Sequence, residues 1–383
     1  MRRVFVNRKG FEKLKKRQTW IYNLEIEREE DTKPGEIVRL FYKDKPLAFA
    51  FFNPKSKIRA RVISFEADFD IDVYLEHAID RAVKRREGLK EITDSLRLFH
   101  SDADGLSGLV VDMYGDNLVC SFDTAGVDRL KGRIVDILKR VLNPKGIFEK
   151  SNNIREKEGL KVEDALLFGD VDDEFIVVEN GFRFITNLKK GQKTGFYLDQ
   201  RKNRSIVGSL KVERVLDMFA SSGGFGVYSK AKFVKFVEIS KENCKLIEKN
   251  AEMNGLRNYE IVNYDAFDFL KDEKEDYDLI IIDPPAFAKN RNSVKGAMKG
   301  YKYLIANGID RLKSGGYLAV FSCSFAVGFK ELLDLCLSVS SEKSTELEVV
   351  EFLKQDIDHP YLVNIPTSLY LTGLLVRKFD IVQ

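Results

Sequence analysis

Cysteine and histidine are scarce in this chain of 383 residues, which has four cysteines (Cys120, Cys244, Cys323, Cys336) and three histidines (His77, His100, His359). The cysteines form no C-x-x-C pair and the histidines complete no metal-ligand spacing, so a zinc site and a disulfide framework are both excluded, with no metal expected. Long apolar runs are missing as well. None approaches the ~18 residues of a membrane span, and the basic start MRRVFVNRKGFEKLKKRQTW leads into no apolar core of a signal peptide. A soluble cytoplasmic protein with no membrane partner is the expectation. Neither charge sign dominates: 63 Lys+Arg against 60 Asp+Glu leaves +3, which neither demands nor forbids nucleic acid. There is no internal repeat and no low-complexity tract. With 44% hydrophobic and 32% charged residues the chain can build packed interiors, and its length predicts two or three domains.

Residues 1 to 65 contain short β-like runs (EIVRLFY, PLAFAFFN, KIRARVISF) separated by polar turns, the spacing of a small β-barrel. In KIRARVISF, Ile58, Ala60 and Val62 alternate with Arg59 and Arg61, so the two arginines are expected to project outward and meet phosphate. IDVYLEHAIDRAVKRREG then predicts a helix with Val73, Leu75, Ala78, Ile79, Ala82 and Val83 on one face. Its Arg81, Lys84, Arg85 and Arg86 read first as a solvated basic face, with RNA contact as the alternative. Antiparallel strands follow in SLRLFHSDADGLSGLVVDMYGDNLVCSFDTAG, and a second α+β unit is expected to end near Thr186. Past Asp199 strands and helices alternate, the mark of a parallel sheet covered on both faces, closed by an antiparallel pair. The predicted domains are 1–68 (β-barrel), 69–186 (central α+β) and 187–383 (α/β sheet).

In an open α/β sheet ligands sit beyond the carboxyl ends of the strands, and those ends carry the informative residues. The first ends in LDMFASSGGFG (216–226), whose glycines are expected to let a ligand approach the backbone; the run does not match G-x-G-x-x-G. The second ends in Glu238, placed to accept from ribose hydroxyls, and the third in Asp265-Ala266-Phe267, where an adenine amine and ring face would lie. One such acid is usually a cap or a surface charge. Three at successive strand ends together fit a nucleoside. The fourth strand, YDLIIIDPPAF, runs into Asp283-Pro284-Pro285, a stiff loop that holds Asp283 at the rim.

With these motifs the chain resembles the class I S-adenosylmethionine-dependent methyltransferases. It is similar, more closely, to the 23S ribosomal RNA 5-methylcytosine methyltransferases that carry an N-terminal PUA domain, through GQKTGFYLDQRKNR, DPPAFAKN, KGYKYL, FSCSF, DHPYL and YLTGLLVRK. RQTWIY, NPKSKIRARV and HSDADGLSGLVVDMYGD extend the likeness over nearly the whole chain. It departs at Gln18-Thr19-Trp20-Ile21-Tyr22, where the family has an HPWIF-like segment. The resemblance implies a Rossmann-like methyltransferase domain, S-adenosylmethionine as cofactor, 23S rRNA as partner and a homodimer. It also implies cofactor contacts from Thr194, Phe196, Asp217, Phe219, Ala220, Ser221, Gly223, Gly224, Glu238, Ile239, Asp265, Ala266 and Asp283, with Lys193 and Lys289 beside Arg59 and Arg61 on the RNA.

Methylation at carbon 5 of cytosine requires prior addition of a thiolate at carbon 6, because carbon 5 is a poor nucleophile. Cys323 follows GGYLAVFS at a strand end, between Ser322 and Ser324, whereas Cys120, Cys244 and Cys336 read as core residues. Asp283 is expected at the cytosine's N3 or amine. Asp283, Asp199 and the Asp358-His359 pair are the candidates for the base that removes the carbon-5 hydrogen. Two other readings stand beside this one. An exocyclic-amine methyltransferase would use the Asp283-Pro284-Pro285 loop without a cysteine, and a non-catalytic RNA-binding assembly factor would need no turnover.

Overall fold

The computed structural model describes residues 1–189, 196–287, 294–324 and 326–381. Its internal contacts divide the chain into two units, one of Met1–Phe175, Leu188–Lys190 and Ile357–Ser368, the other of Ile176–Asn187, Gly191–Asp356 and Leu369–Gln383.

The first unit opens with β1 (Arg2–Val6), α1 (Arg8–Lys15), β2 (Trp20–Tyr22), β3 (Ile26–Glu29), β4 (Glu36–Tyr42), β5 (Lys45–Phe52) and β6 (Ile58–Ser64). These strands form one sheet in the order β2-β6-β5-β4-β1-β3 around Val4, Val6, Ile21, Val38, Leu40, Ala50 and Phe52. The second layer starts with α2 (Ile71–Arg85), whose N-cap Asp70 accepts the N–H groups of Asp72 and Val73. There follow β7 (Ser95–His100), α3 (Ser101–Asp104), β8 (Leu109–Tyr114), β9 (Asn117–Phe122), α4 (Ala125–Arg129), α5 (Lys131–Leu142), β10 (Gly146–Glu149) and β11 (Ala165–Gly169). The five strands pair as β11-β10-β9-β8-β7. Alternation along β5 explains why the two parts of this unit share a core. Ala48, Ala50 and Phe52 face the first sheet's interior, while Phe49 and Phe51 join Leu75, Ile79, Leu98 and Ile134 in the second.

Two expectations for α2 change. Val73 is exposed rather than on the packed face. Arg86 is buried, not solvated: it donates to Asp104 Oδ2 (2.6 Å) and to the carbonyls of Ala82 and Asp358 (2.9 and 2.8 Å). A guanidinium with that many acceptors tolerates burial that a lone charge would not.

The second unit begins with a hairpin, β12 (Glu174–Glu179) and β13 (Phe182–Asn187), followed by α6 (Arg201–Gly208). Strands and helices then alternate through β14 (Arg214–Met218), α7 (Gly224–Ser229), β15 (Phe233–Val237), α8 (Lys241–Met253), β16 (Tyr259–Val262), α9 (Ala266–Asp272), β17 (Tyr277–Ile282), α10 (Val294–Asp310), β18 (Leu312–Ser322) and α11 (Phe329–Glu342). The chain ends in β19 (Thr345–Lys354) and β20 (Thr372–Asp380). The seven strands lie in the order β16-β15-β14-β17-β18-β20-β19, parallel except at β20, which runs antiparallel to both neighbours. Val215, Leu216, Leu279, Ile280, Ile281 and Ile282 are fully buried, as a sheet covered on both faces requires. Each such side chain contributes about 1.5–3 kcal/mol of burial energy.

Candidate active site

The chain leaves β14 for β15 and β16 on one side, then returns to β17 on the other, so a crevice opens beyond the carboxyl ends of β14 and β17. After β14 the backbone turns sharply, with Phe219 (φ 59°), Ser221 (φ 52°) and Gly223 (φ 77°) all left-handed. For the two non-glycine residues this costs on the order of 1–3 kcal/mol each. Two acids hold the turn. Glu238, just past β15, accepts the Ser221 N–H at 2.8 Å on one oxygen and the Ser240 N–H at 2.9 Å on the other. Asp217 in β14 accepts the Gly226 N–H at 2.8 Å. Burial pushes the Asp217 carboxyl well above its ordinary range, against the pull of that N–H.

Two of the glycines serve packing. A Cβ at Gly226 would lie 2.3 Å from the Phe236 ring, and one at Gly224 2.9 Å from the Arg204 side chain, so both let α7 sit tightly on its neighbours. At Gly223 the left-handed φ is the reason for glycine. Beyond β16, Asp265 serves as the N-cap of α9, one oxygen accepting the N–H groups of Phe267 (2.8 Å) and Asp268 (3.2 Å). Asn263, which carried no sequence signal, donates to the Glu238 and Ile239 carbonyls at 2.9 and 2.8 Å and ties the two strand ends together. Ile239 is 69% exposed, while Ala220 and Ala266 are buried. Phe219, Phe267 and Phe287 form a ring cluster with centroids 5.7–6.5 Å apart.

On the β17 side, Asp283 accepts a hydrogen bond from Gln200 Nε2 at 2.9 Å. Gln200 is itself oriented, because its Oε1 accepts from Asn203 Nδ2 at 2.6 Å, and both amides are buried. Asp199, one residue earlier, accepts from the Tyr370 hydroxyl at 2.6 Å. The segment carrying these groups is anchored by buried ion pairs. Arg201 meets Asp356 at 2.8 Å, and Arg204 binds Glu179 through two 2.8 Å bonds. Phe196 is buried against Phe184 (centroids 5.0 Å) with the Arg204 guanidinium over its ring.

Cys323 directly follows β18 and is exposed. Asp283 follows β17 and Cys323 follows β18, parallel neighbours paired through Ile282 and Val320, so both residues stand at the carboxyl ends of adjacent strands. The other cysteines are set apart from this environment. Burial raises the Cys120 thiol far above its usual value and the Cys336 thiol to about 12. Cys244 is half-buried rather than in the core, its thiol 3.5 Å from the Glu238 carbonyl.

Other expected residues fall elsewhere. Lys193, Thr194 and Lys289 lie outside the described residues. Asp358 and His359 are buried in the first unit, where Asp358 accepts the Arg97 N–H (2.9 Å) and pairs with His359 Nδ1 (2.9 Å). Arg61 does not project outward. It is buried and paired with Glu158 at 2.9 Å, beside Ser107 and the Trp20 ring, because that face of β6 is covered by later parts of the same unit. Arg59 is half-exposed.

The crevice fits a nucleoside cofactor. Each Glu238 oxygen gives one lone pair to the backbone and keeps another, as binding a ribose hydroxyl would require, and the Ile239 beside it is an exposed apolar surface of the kind a flat ring could cover. Comparison with known proteins agrees. Residues 4–65 match the family of PUA-like domains, and residues 161–377 match the S-adenosylmethionine-dependent methyltransferase family. The chain is 34% identical to ribosomal RNA large subunit methyltransferase I of Aeromonas salmonicida, over 96% of this chain and 98% of that one. It is also 34% identical to the protein of the same name from Pseudoalteromonas atlantica, over 95% and 96%. In fold it is similar to a putative S-adenosylmethionine-dependent methyltransferase from Streptococcus mutans, with TM-score 0.84, 23% identity, and 98% of this chain and 100% of that one covered. A putative methyltransferase crystallised with SAH superposes with TM-score 0.85 at 23% identity, over 98% of this chain and 100% of that one. Among the described residues no helix is long and apolar enough to cross a membrane. With S-adenosylmethionine as its cofactor and a PUA-like domain at its start, the chain belongs to the ribosomal RNA large subunit methyltransferase I family.

Proposed function

We propose that this enzyme methylates carbon 5 of a cytosine in large-subunit (23S) ribosomal RNA through a covalent adduct with Cys323. The observation that carries the reading is the placement of that thiol. It is the exposed cysteine at the end of β18, the strand beside β17 and the Asp283 that follows it, while burial pushes the Cys120 and Cys336 thiols up and out of use.

The cofactor supplies an electrophilic methyl group, with Glu238, Ile239 and the turn at 219–224 proposed to hold it. Cys323 Sγ, as thiolate, adds to carbon 6, and the electron pair of the 5,6 double bond makes carbon 5 nucleophilic. Asp283, oriented by Gln200, accepts from the exocyclic amine and fixes the base in the crevice. Once carbon 5 carries its methyl group, a carboxylate, Asp199 or Asp283, takes the carbon-5 hydrogen as a proton. The electrons left behind restore the double bond as the carbon–sulfur bond breaks. Residues 1–68 would position the RNA by phosphate and shape, with Arg59 among the contacts, beside a central 69–186 segment and a catalytic 187–383 segment.

Substitution of the thiol tests this. Cys323→Ala should bind S-adenosylmethionine like the wild type yet lose methyl transfer by several orders of magnitude. RNA carrying 5-fluorocytosine should trap the wild type, but not the variant, as a covalent adduct, because fluorine cannot leave as a proton. Substantial methylation by folded Cys323→Ala would refute the carbon-5 mechanism and favour transfer to an exocyclic amine. A wild type that binds RNA without transferring methyl would favour an assembly factor.

A further inference from the structure

The first unit contains a cleft of about 510 Å³, lined by Arg17, Thr19, Phe65, Tyr74, Arg81 and Arg85 together with the 102–105 turn. That is the size of a small-ligand site, and its charge is one-sided. Both carboxylates in its wall are committed. Asp102 accepts from Trp20 Nε1 at 2.7 Å and Ser107 Oγ at 3.1 Å, and Asp104 from Arg85, Arg86 and the His100 N–H at 2.6–2.8 Å. Arg17 and Arg81, both exposed, have no carboxylate within ion-pair distance among the described residues. The surrounding backbone fixes where these cations sit. Arg17 is left-handed (φ 56°), its carbonyl accepts from Asn364 Nδ2 at 2.7 Å, and its guanidinium lies 4.6 Å over the Phe65 ring. At Gly105 (φ 102°) a Cβ would come within 3.6 Å of the Arg81 guanidinium and 2.6 Å of the Tyr74 hydroxyl, which donates to the Gly105 carbonyl at 2.9 Å. The Thr19 hydroxyl, buried in the same wall, has no hydrogen-bond partner among the described residues.

We propose that this cleft anchors one nucleotide of the RNA strand, its phosphate held by Arg17 and Arg81 and its base stacked against the Arg17–Phe65 pair. The inference rests on the reading that the substrate is ribosomal RNA. Two unpaired guanidiniums supply the anion site. A guanidinium plane on an aromatic ring is the kind of platform on which an unstacked base lies. The proposal moves the RNA anchor away from Arg61, whose charge is spent on Glu158, to cations that keep theirs.

The test uses the full chain, an in-vitro transcribed large-subunit rRNA fragment and the double variant Arg17→Ala/Arg81→Ala. Both side chains are exposed, and circular dichroism and an unchanged affinity for S-adenosylmethionine establish that the variant is folded. We expect the RNA Kd and KM to rise about tenfold at physiological salt, with the loss falling on KM rather than kcat. The slope of log Kd against log salt should become shallower by about one. If the wild type methylates the fragment and the double variant matches it in Kd and salt slope, the cleft assignment falls while the reading of function stands. If CMP binds wild type but not the variant, and RNA affinity is the same in both, the cleft is a mononucleotide site and the assignment falls too. If the wild type methylates no RNA, the reading of function falls and the cleft with it.

Discussion

Gln200 donates to Asp283 at 2.9 Å, and Asn203 fixes which end of the Gln200 amide faces that way. Leucine at 200 has similar bulk and no donor. A hydrogen bond to a charged group contributes about 1.5–3 kcal/mol, so Gln200→Leu should lower kcat/KM for rRNA methylation by roughly 10- to 150-fold. Cofactor affinity should hardly change, because the Glu238 side of the crevice is untouched. The substitution also strands the buried Asn203 amide, at a stability cost of about 1–3 kcal/mol. Rates are therefore compared at a temperature where thermal melting shows both proteins folded. A second variant separates positioning from packing. Gln200→Glu keeps an acceptor for Asn203 but sets a carboxylate against Asp283, and two such groups in contact retain a proton to higher pH. Its methylation rate should be low at neutral pH and recover as pH rises, so that the acid limb of the pH profile moves upward. A folded Gln200→Leu protein with more than half the wild-type rate, or a Gln200→Glu profile superimposed on wild type, would refute the reasoning.

Glu238→Ala should weaken S-adenosylmethionine binding by about 1–3 kcal/mol in calorimetry, since it removes the proposed ribose acceptors and frees the Ser221 and Ser240 N–H groups; unchanged affinity would take Glu238 out of that role. Glu179→Ala should cost about 3–5 kcal/mol in urea unfolding, because Arg204 is left charged and buried and the Tyr228 hydroxyl loses its 2.7 Å acceptor. The apolar double variant Glu179→Leu/Arg204→Met should recover part of that loss, and a single-variant cost below about 1 kcal/mol contradicts the argument. For Asp217 the sign follows from its raised folded-state pKa: its stability term is full below about 3.8, the unfolded value, and is lost as pH rises toward the folded one. Asp217→Asn keeps an acceptor for Gly226, so its stability relative to wild type should increase from pH 4 to pH 7 in denaturant melts, and a constant difference would count against a raised pKa.

Local pattern carried most of the catalytic unit. β14, β15 and β17 are rich in buried apolar residues, with an unbroken Leu279–Ile282 run in β17, and the polar residues at and beyond their ends mark the crevice before any coordinate is known. Asp265 shows the limit of that logic, since an acid at a strand end is also an acid before a helix, and here it caps α9. Gln200 and Asn203 carried no assigned role because their partner Asp283 lies 83 residues on from Gln200, and no periodicity records such a pairing. Arg61 was misread for a related reason. Alternation correctly places Arg59 and Arg61 on one face of β6, but what covers that face, Glu158, arrives 97 residues later.

The order in which the chain visits its two units has a consequence for synthesis. Residues Ile357–Ser368 belong to the first unit although nearly all of the second precedes them. Within that segment Asp358 accepts from the Arg97 N–H and from the buried Arg86 guanidinium. An N-terminal fragment that stops after the central strands therefore leaves Arg86, buried in the full chain, short of one of its protein acceptors. On the ribosome, where N-terminal segments otherwise fold as they emerge, the first unit must wait for almost the whole polypeptide before it can close. The finished enzyme should accordingly resist division into fragments at any single cut, and a truncation that removes the C-terminal half should yield a first unit that is less stable than its hydrophobic clusters alone would indicate.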